Sequence, residues 1–472
     1  MSAPFDLAIR GGTVVTASDR YRADIGIRDG RIIQIAEAVE GAAQEIDATG
    51  LLVLPGGIDA HVHLAQPTSD GTVMADDFET GTRSAAAGGN TTVLPFALQV
   101  KGTSLRECVA AYHEKADGKC HTDVSFHLII SDPTPQVLGQ ELPALVRDGY
   151  TSFKVFMTYD DLVLNDAELL EVFDVARREK ALVMVHAEGH DAIRHMTRKL
   201  EGEGRTAPYF HAEAHAQIAE REATHRAISH AELIDVPVVI VHVSGRDPME
   251  QIQWARRRGL KVFAETCPQY IALTRDDLKG LNMDFEGAKY VCSPPPRDAD
   301  SQKAIWDGLR DGTFDLFSSD HCPFYFDAPN GAGKDNSRAR TSFKWVPNGI
   351  PGVETRLPIL FGEGVSKGRI TLERFVALTS TNPARLYGLY PQKGSIAIGA
   401  DADITIWDPA RRDTIRQERL NHGADYTPYE GMEIIGWPVR TILRGRTIAQ
   451  EGKVEGEPIG HYQSRGFSQA VS

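Results

Sequence analysis

His61 and His63 are the residues of this chain whose spacing speaks most directly of chemistry, in the stretch Gly57-Ile58-Asp59-Ala60-His61-Val62-His63. Residues 58–64 read as a short strand, with β-branched and apolar residues alternating with polar ones. Strand side chains repeat every second residue, so both imidazoles point to one face. Side by side at a strand end, they can grip one metal ion. The other reading is two unrelated histidines, one of them satisfied in the core. Further ligands at equivalent positions decide between the two.

The elements that would supply them follow from the texture of residues 57–380, where short apolar runs alternate with helix-like segments. Strands are expected over 58–64, 91–95, 123–130, 152–157, 182–186, 238–242, 261–264 and 314–317. Helices are expected over 78–87, 104–117, 136–147, 167–179, 220–233, 249–257 and 302–310, with a long polar insertion at 188–215. Eight such units in series are the signature of an α/β fold of the (β/α)8 TIM-barrel type, its strands buried on both faces. A doubly wound open sheet would normally have fewer strands, and no Gly-rich dinucleotide turn is present.

Active-site residues of such a barrel sit at the C-terminal strand ends. The first strand ends in His61 and His63, the fourth carries Lys154, the fifth ends in His186, the sixth in His242 and the eighth in Ser319-Asp320-His321. Four histidines, an aspartate and a lysine thus converge on one rim. A lysine inside Phe153-Lys154-Val155-Phe156 must hide or neutralise its ammonium group. Imidazole and carboxylate suit zinc and similar divalent ions, which turn bound water into hydroxide near neutral pH. Two such ions about 3.5–4 Å apart can share one hydroxide. An ammonium has no lone pair, so Lys154 would have to become an anionic carbamate to take part.

Both chain ends have a different texture. Residues 5–55 hold short β-like runs interrupted by glycine pairs, with Asp29-Gly30 a tight-hairpin signal, and β texture returns at 394–398, 402–407 and 439–443. The expected organisation is a small discontinuous β-sandwich domain from 1–56 and 381–459, the barrel at 57–380 between them, and a loosely ordered or oligomer-contacting tail at 460–472. The 472 residues, 42% hydrophobic and 25% charged, describe a soluble globular protein. A formal charge of −14 argues against nucleic acid and anionic membrane as partners. Residues 1–9 show no secretory signal, and no apolar stretch approaches the ~20 residues that span a bilayer. Five cysteines without C-x-x-C spacing suit a reducing, cytoplasmic setting.

These motifs resemble the hydantoinase/dihydropyrimidinase family of cyclic amidohydrolases. The resemblance is carried by Gly57-Ile58-Asp59-Ala60-His61-Val62-His63, Phe153-Lys154 through Tyr159, His186-Ala187-Glu188, Val241-His242, Glu265 through Tyr270, and Ser319-Asp320-His321-Cys322-Pro323-Phe324. It continues into Thr379 through Ala384 and Gly399 through Asp403, so it spans most of the chain. It implies a dinuclear zinc site with His61 and His63 on one ion, His186 and His242 on the other, Lys154 bridging as N6-carboxylysine, and Asp320 on the first ion. It further implies Asp320 as general base and acid, and Tyr159, Ser293 and Asn348 as the residues that hold the substrate. The implied reaction is hydrolytic opening of a cyclic amide or imide, a dihydropyrimidine or 5-substituted hydantoin, to an N-carbamoyl amino acid, by a homotetramer. Allantoin or another cyclic imide is the alternative substrate class, and a non-catalytic scaffold that has lost its ligands is the remote one.

The chain also departs from the family pattern. Ala65 stands where dihydroorotases carry a carboxylate-binding arginine, which argues against dihydroorotate. Asp160-Asp161-Leu162-Val163 follows Tyr159 where relatives commonly run Lys-Gly-Val-Phe, and Gly189 replaces a common asparagine. His190, His195, His211, His215, His225 and His230 are expected to stay away from the metals, and His321 to point to the opposite strand face. The cysteines read as core thiols, Arg256-Arg257-Arg258 as a solvated helix end, and 327–340 as a lid or interface loop.

Overall fold

The computed structural model describes residues 3–68 and 71–471. Its centre is a parallel barrel. Gly57–Val62 pairs with Asn90–Leu98, followed by the split third strand (Asp123–Val124 and His127–Ile129), then Ser152–Phe156, Leu182–His186, Val238–Ile240, Val262–Thr266 and Leu316–Phe317. A parallel bridge between Val62 and His321 closes the ring, and His63 N–H donates to the His321 carbonyl at 2.7 Å. Nearly every strand residue is buried, as parallel strands sheathed by helices must be. Ile58, Leu94, Phe96, Leu182, Met184 and Val239 fill the interior as a packed core rather than a pore.

The helices begin where local chemistry starts them. Asp77 and Thr80 form a reciprocal capping box at Phe78–Ala87, and Asn165 with Glu168 forms another at Asp166–Glu179. Two expectations change in detail. Residues 123–130 are not one strand, being interrupted at Ser125-Phe126, and 136–147 opens with a π-turn (Val137–Glu141) before Leu142–Arg147. The polar insertion is not a loop: it holds the helices His190–Gly202 and Phe210–Ala214. Ile193, Thr197 and Leu200 form a narrow buried stripe at helical spacing, hidden in the sequence by the polar majority around it.

The chain ends build two further sheets. One has the order Arg31–Ala36, Asp24–Arg28, Phe5–Arg10, Ala42–Asp47. The other joins both ends of the chain, because Leu52–Pro55 pairs with Ile404–Thr414 and with Thr13–Val15. Leu7, Ile25, Ile27, Val53, Ile404 and Ile442 pack into one core cluster shared by the two sheets. The Asp29-Gly30 turn has positive φ at both residues (52° and 73°), the geometry that twisted hairpins require. Residues 394–398, expected as a strand, form turns instead. Of the Arg256-Arg257-Arg258 run, Arg257 and Arg258 are exposed as expected, whereas Arg256 is half-buried, donating to the carbonyls of Val262 and Gly312 and pairing with Asp315.

The C-terminal segment is packed rather than loose. Gly460 N–H donates to Cys120 O at 2.8 Å and Gln463 N–H to Val124 O at 2.7 Å. Arg465, buried, donates to Ser152 Oγ at 2.9 Å and Phe126 O at 2.6 Å, beneath the strands that carry Lys154 and its neighbours. Burial pushes its guanidinium down to about 10, so these acceptors are what keeps a charge there tolerable. Arg465→Ala is expected to lose about 2–4 kcal/mol in urea unfolding. A loss below about 0.5 kcal/mol, the level of an ordinary surface substitution, would show the segment to be dispensable.

Candidate metal centre

At the C-terminal ends of the strands the barrel opens into a cavity of about 650 Å³. His61, His63, Lys154, His186, His242 and Asp320 all line it, and all six are buried. His61 Nε2 lies 3.2 Å from Lys154 Nζ and 3.2 Å from Asp320 Oδ1, and His63 Nε2 lies 3.5 Å from that same carboxylate oxygen. Ligand atoms of His61, His63 and Asp320 fall within 4.8 Å of one another. On the other side, the His186 and His242 rings stand 4.4 Å apart, and His242 is 5.4 Å from His61.

Three of the imidazoles are aimed by a side-chain hydrogen-bond partner. Glu265 Oε1 takes His61 Nδ1 at 2.6 Å, Gln66 Oε1 takes His63 Nδ1 at 2.9 Å, and Glu188 Oε2 takes His186 Nε2 at 2.7 Å. Each acceptor fixes the ring proton on the outer nitrogen and leaves the other nitrogen's lone pair for a ligand. Gln66 is itself held, donating to Phe96 O at 3.0 Å. The fourth ring is anchored through its backbone, with His242 N–H donating to Glu265 Oε1 at 3.1 Å. Its Nδ1 is buried with no partner among the described residues, a costly condition for a polar atom unless a ligand relieves it.

Burial holds His61, His186 and His242 below the ordinary imidazole value, with the nearby Lys154 charge adding to it, so the rings are neutral donors. Burial also drives Lys154 down to about 8, against the pull of Asp320 and Glu265. The shift enlarges the share of free amine at the expense of the ammonium. Glu265 is pushed upward by the same burial.

The backbone around the cavity is strained. Ala65, Tyr159, His242 and Asp320 have φ of +49°, +72°, +39° and +50°, a region that costs non-glycine residues free energy. Asp320 is held there from both sides. Ser319 N–H donates to Asp59 Oδ1 at 3.0 Å, while the His321 ring meets Asp76 Oδ2 at 3.1 Å and Gly352 N–H at 3.0 Å. His321 thus faces away from the cavity, as its strand position implies.

Tyr159, Ser293 and Asn348 line the same cavity; the Tyr159 ring lies 5.3 Å from His186, and Ser293 Oγ donates to Asn348 Oδ1 at 3.1 Å. His190, His225 and His230 stay outside it, taking Asp160, Gln251 and Asp166 as neighbours. His211 and His215 also stay off the donor cluster, yet both are buried rather than solvated. Lys334, in the expected lid, is fully buried and donates to the Ala288 and Val291 carbonyls. Sequence reasoning missed the roles of Glu265, Glu188 and Gln66. Glu265 was legible by the argument used for Lys154, a charge in an apolar strand, because Val262–Thr266 runs one residue past it.

The donor set fits divalent ions: neutral buried imidazoles with oriented lone pairs and one carboxylate. Comparison with known proteins agrees. The amidohydrolase family model matches residues 52–448. The D-hydantoinase of Geobacillus stearothermophilus is 45% identical over 461 residues, covering 97% of this chain and 96% of that one. The D-hydantoinase of Ralstonia pickettii is 44% identical over 454 residues, covering 96% and 97%. The solved dihydropyrimidinase of Brevibacillus agri matches with a TM-score of 0.94 at 43% identity, covering 98% and 99%. Barrel, donor set and matched span together define an amidohydrolase. Within that class, the chain belongs to the hydantoinase/dihydropyrimidinase family and is a cyclic amidohydrolase.

Proposed function

We propose that this enzyme opens the ring of a dihydropyrimidine or a 5-substituted hydantoin, adding water across a ring amide to give an N-carbamoyl amino acid. The D form is the proposed preference, following the names of the relatives at 44–45% identity. The observation that carries the reading is the convergence of Lys154 with four imidazoles and Asp320 in one buried cavity. A scaffold that had lost its chemistry would have no use for a buried lysine there.

In this proposal His61, His63 and Asp320 hold one ion, His186 and His242 the other, and Lys154 serves both as N6-carboxylysine. Two zinc ions so held would acidify a water to hydroxide near neutral pH and polarise a ring carbonyl. Asp320 takes the proton from the attacking water and returns it to the leaving ring nitrogen. Tyr159 donates its hydroxyl to the carbonyl oxygen as charge develops on it. Burial beside Glu188 and Asp320 raises the Tyr159 hydroxyl, which keeps it a proton donor. Ser293 and Asn348 hold the imide, and apolar wall residues such as Phe156 and Leu162 leave room for the ring substituent.

The rest of the proposal concerns organisation. The catalytic unit is the barrel of 57–380, carried on a β unit from 1–56 and 381–459 with 460–472 packed beneath it. A cytoplasmic homotetramer is the proposed state, supported by the family resemblance and by five cysteines that are free in the structure. No helix among the described residues is long and apolar enough to cross a membrane.

Hydrolysis of dihydrouracil, racemic 5-substituted hydantoins, allantoin and succinimide by the metal-loaded enzyme tests the reading. Turnover of the first two with D preference is expected, and activity on allantoin alone would move the enzyme to the alternative class. Lys154→Ala is expected to lose both metals and activity, with partial recovery from a small added carboxylate. Full metal content in that variant would remove the bridging role. Asp320→Asn is expected to lower kcat by about 10²–10⁴, the range of a lost proton-transfer group. Near-normal kcat would remove Asp320 as the proton shuttle.

A further inference from the structure

The insertion between the fifth and sixth barrel strands carries two imidazoles that the proposed chemistry does not use. His211 lies on the helix Phe210–Ala214 and His215 caps it, one turn apart, with ring centroids separated by 4.2 Å. Both are buried. His215 Nδ1 meets Glu188 Oε1 at 2.9 Å, and so joins the carboxylate that aims His186. His211 turns the other way: its Nε2 lies 3.0 Å from the Cys292 carbonyl oxygen and 3.2 Å from Ser293 Oγ. A carbonyl oxygen can only accept, so His211 Nε2 carries the hydrogen and donates it to Cys292 O, with Ser293 Oγ taking the longer arm of a shared, three-centre bond. Burial, with His215 alongside, keeps the ring neutral and therefore a single-tautomer donor.

That direction propagates along the wall. Ser293 Oγ donates its one proton to Asn348 Oδ1, 3.1 Å away, and accepts from His211. This arrangement uses the one proton of the serine hydroxyl and one of its two acceptor sites. With Oδ1 committed, Asn348 has its Nδ2 donor left for the cavity it lines.

We propose that His211 is a positioning residue: its Nε2–H fixes the Ser293 hydroxyl and, through it, the Asn348 amide, so that this wall presents a donor to a ring carbonyl. The inference rests on the reading that Ser293 and Asn348 face the ring. The insertion thus holds the substrate wall in place at one end and the Glu188 acceptor at the other.

The test uses steady-state kinetics on dihydrouracil with metal content measured in each variant. His211→Phe keeps the bulk and removes the donor; KM is expected to rise about tenfold, the worth of one buried hydrogen bond, with kcat and metal content held. His211→Gln, whose amide nitrogen can donate from a similar place, is expected to bring KM back to within about threefold of the native value. Ser293→Ala is expected to raise KM as His211→Phe does, and the double variant to add nothing further, because both cut one chain of bonds. Native KM in His211→Phe, no rescue by His211→Gln, or an additive double variant would each overturn the proposal. Should His211→Phe not fold, Ser293→Ala with native KM is sufficient to overturn it. A metal-loaded native enzyme that opens no ring amide would instead overturn the underlying reading.

Discussion

The structure depends on one constraint: Lys154 must stay buried in the barrel wall without a solvating shell. An ammonium in that position is so unfavourable that its environment drives it down to about 8. The same desolvation keeps the neighbouring imidazoles neutral, which is the state in which they can serve as ligands. Burial therefore sets up the whole donor cluster at once. It also demands outer partners, because a buried imidazole nitrogen without an acceptor is a liability. Glu265, Glu188 and Gln66 meet that demand for three of the four rings. Those three residues are as much a part of the site as the groups that face the cavity.

A second requirement follows from the strand geometry. A regular strand end points alternate side chains into the barrel, whereas the cluster needs them turned toward a common point at its mouth. His242 and Asp320 achieve this with left-handed backbone, and Tyr159 does so just beyond the fourth strand. Such conformations persist only where the surroundings over-determine them. For Asp320 the surroundings are Asp59 on one flank and the Asp76–His321–Gly352 set on the other. The bridge that closes the barrel, Val62 to His321, sits at the same point. Closing the sheet and aiming Asp320 are one structural event.

What was legible in the sequence follows the same physics. The barrel could be read because parallel strands are continuous apolar runs and the helices between them have amphipathic stripes. The six donor residues could be read because each breaks the apolar pattern at a strand end. Glu265 escaped only because its strand, expected to end at Ala264, runs two residues further to Thr266. Gln66 and His215 could not be read, since a loop glutamine and a histidine in a polar helix acquire meaning only from long-range contacts. The insertion reads in sequence only as a polar stretch because the buried stripe of His190–Gly202 has just three residues, Ile193, Thr197 and Leu200. The terminal segment was misjudged for a related reason: Arg465 and Tyr462 look like surface residues until Phe126, Ser152 and Tyr150 are placed above them.

The division between what could and could not be read is also a division of labour in the enzyme. The donor set is buried, crowded and hydrogen-bonded to an outer layer, so few residue types are tolerated and the pattern announces itself. The mouth is different. Asp160 and Asp161 are exposed residues of the cavity rim, and Lys101 and Lys344 line that rim as well. Charges placed there are well solvated, exert modest forces and can be exchanged without loss of the fold. The departure at Asp160-Asp161 falls in this solvated mouth, whereas Gly189 is buried and Ala65 is tied down, its carbonyl taking Lys115 Nζ at 2.7 Å. The buried donors and their hydrogen-bond partners are therefore the constrained part of this structure, and the solvated mouth is the part that can change without loss of the fold.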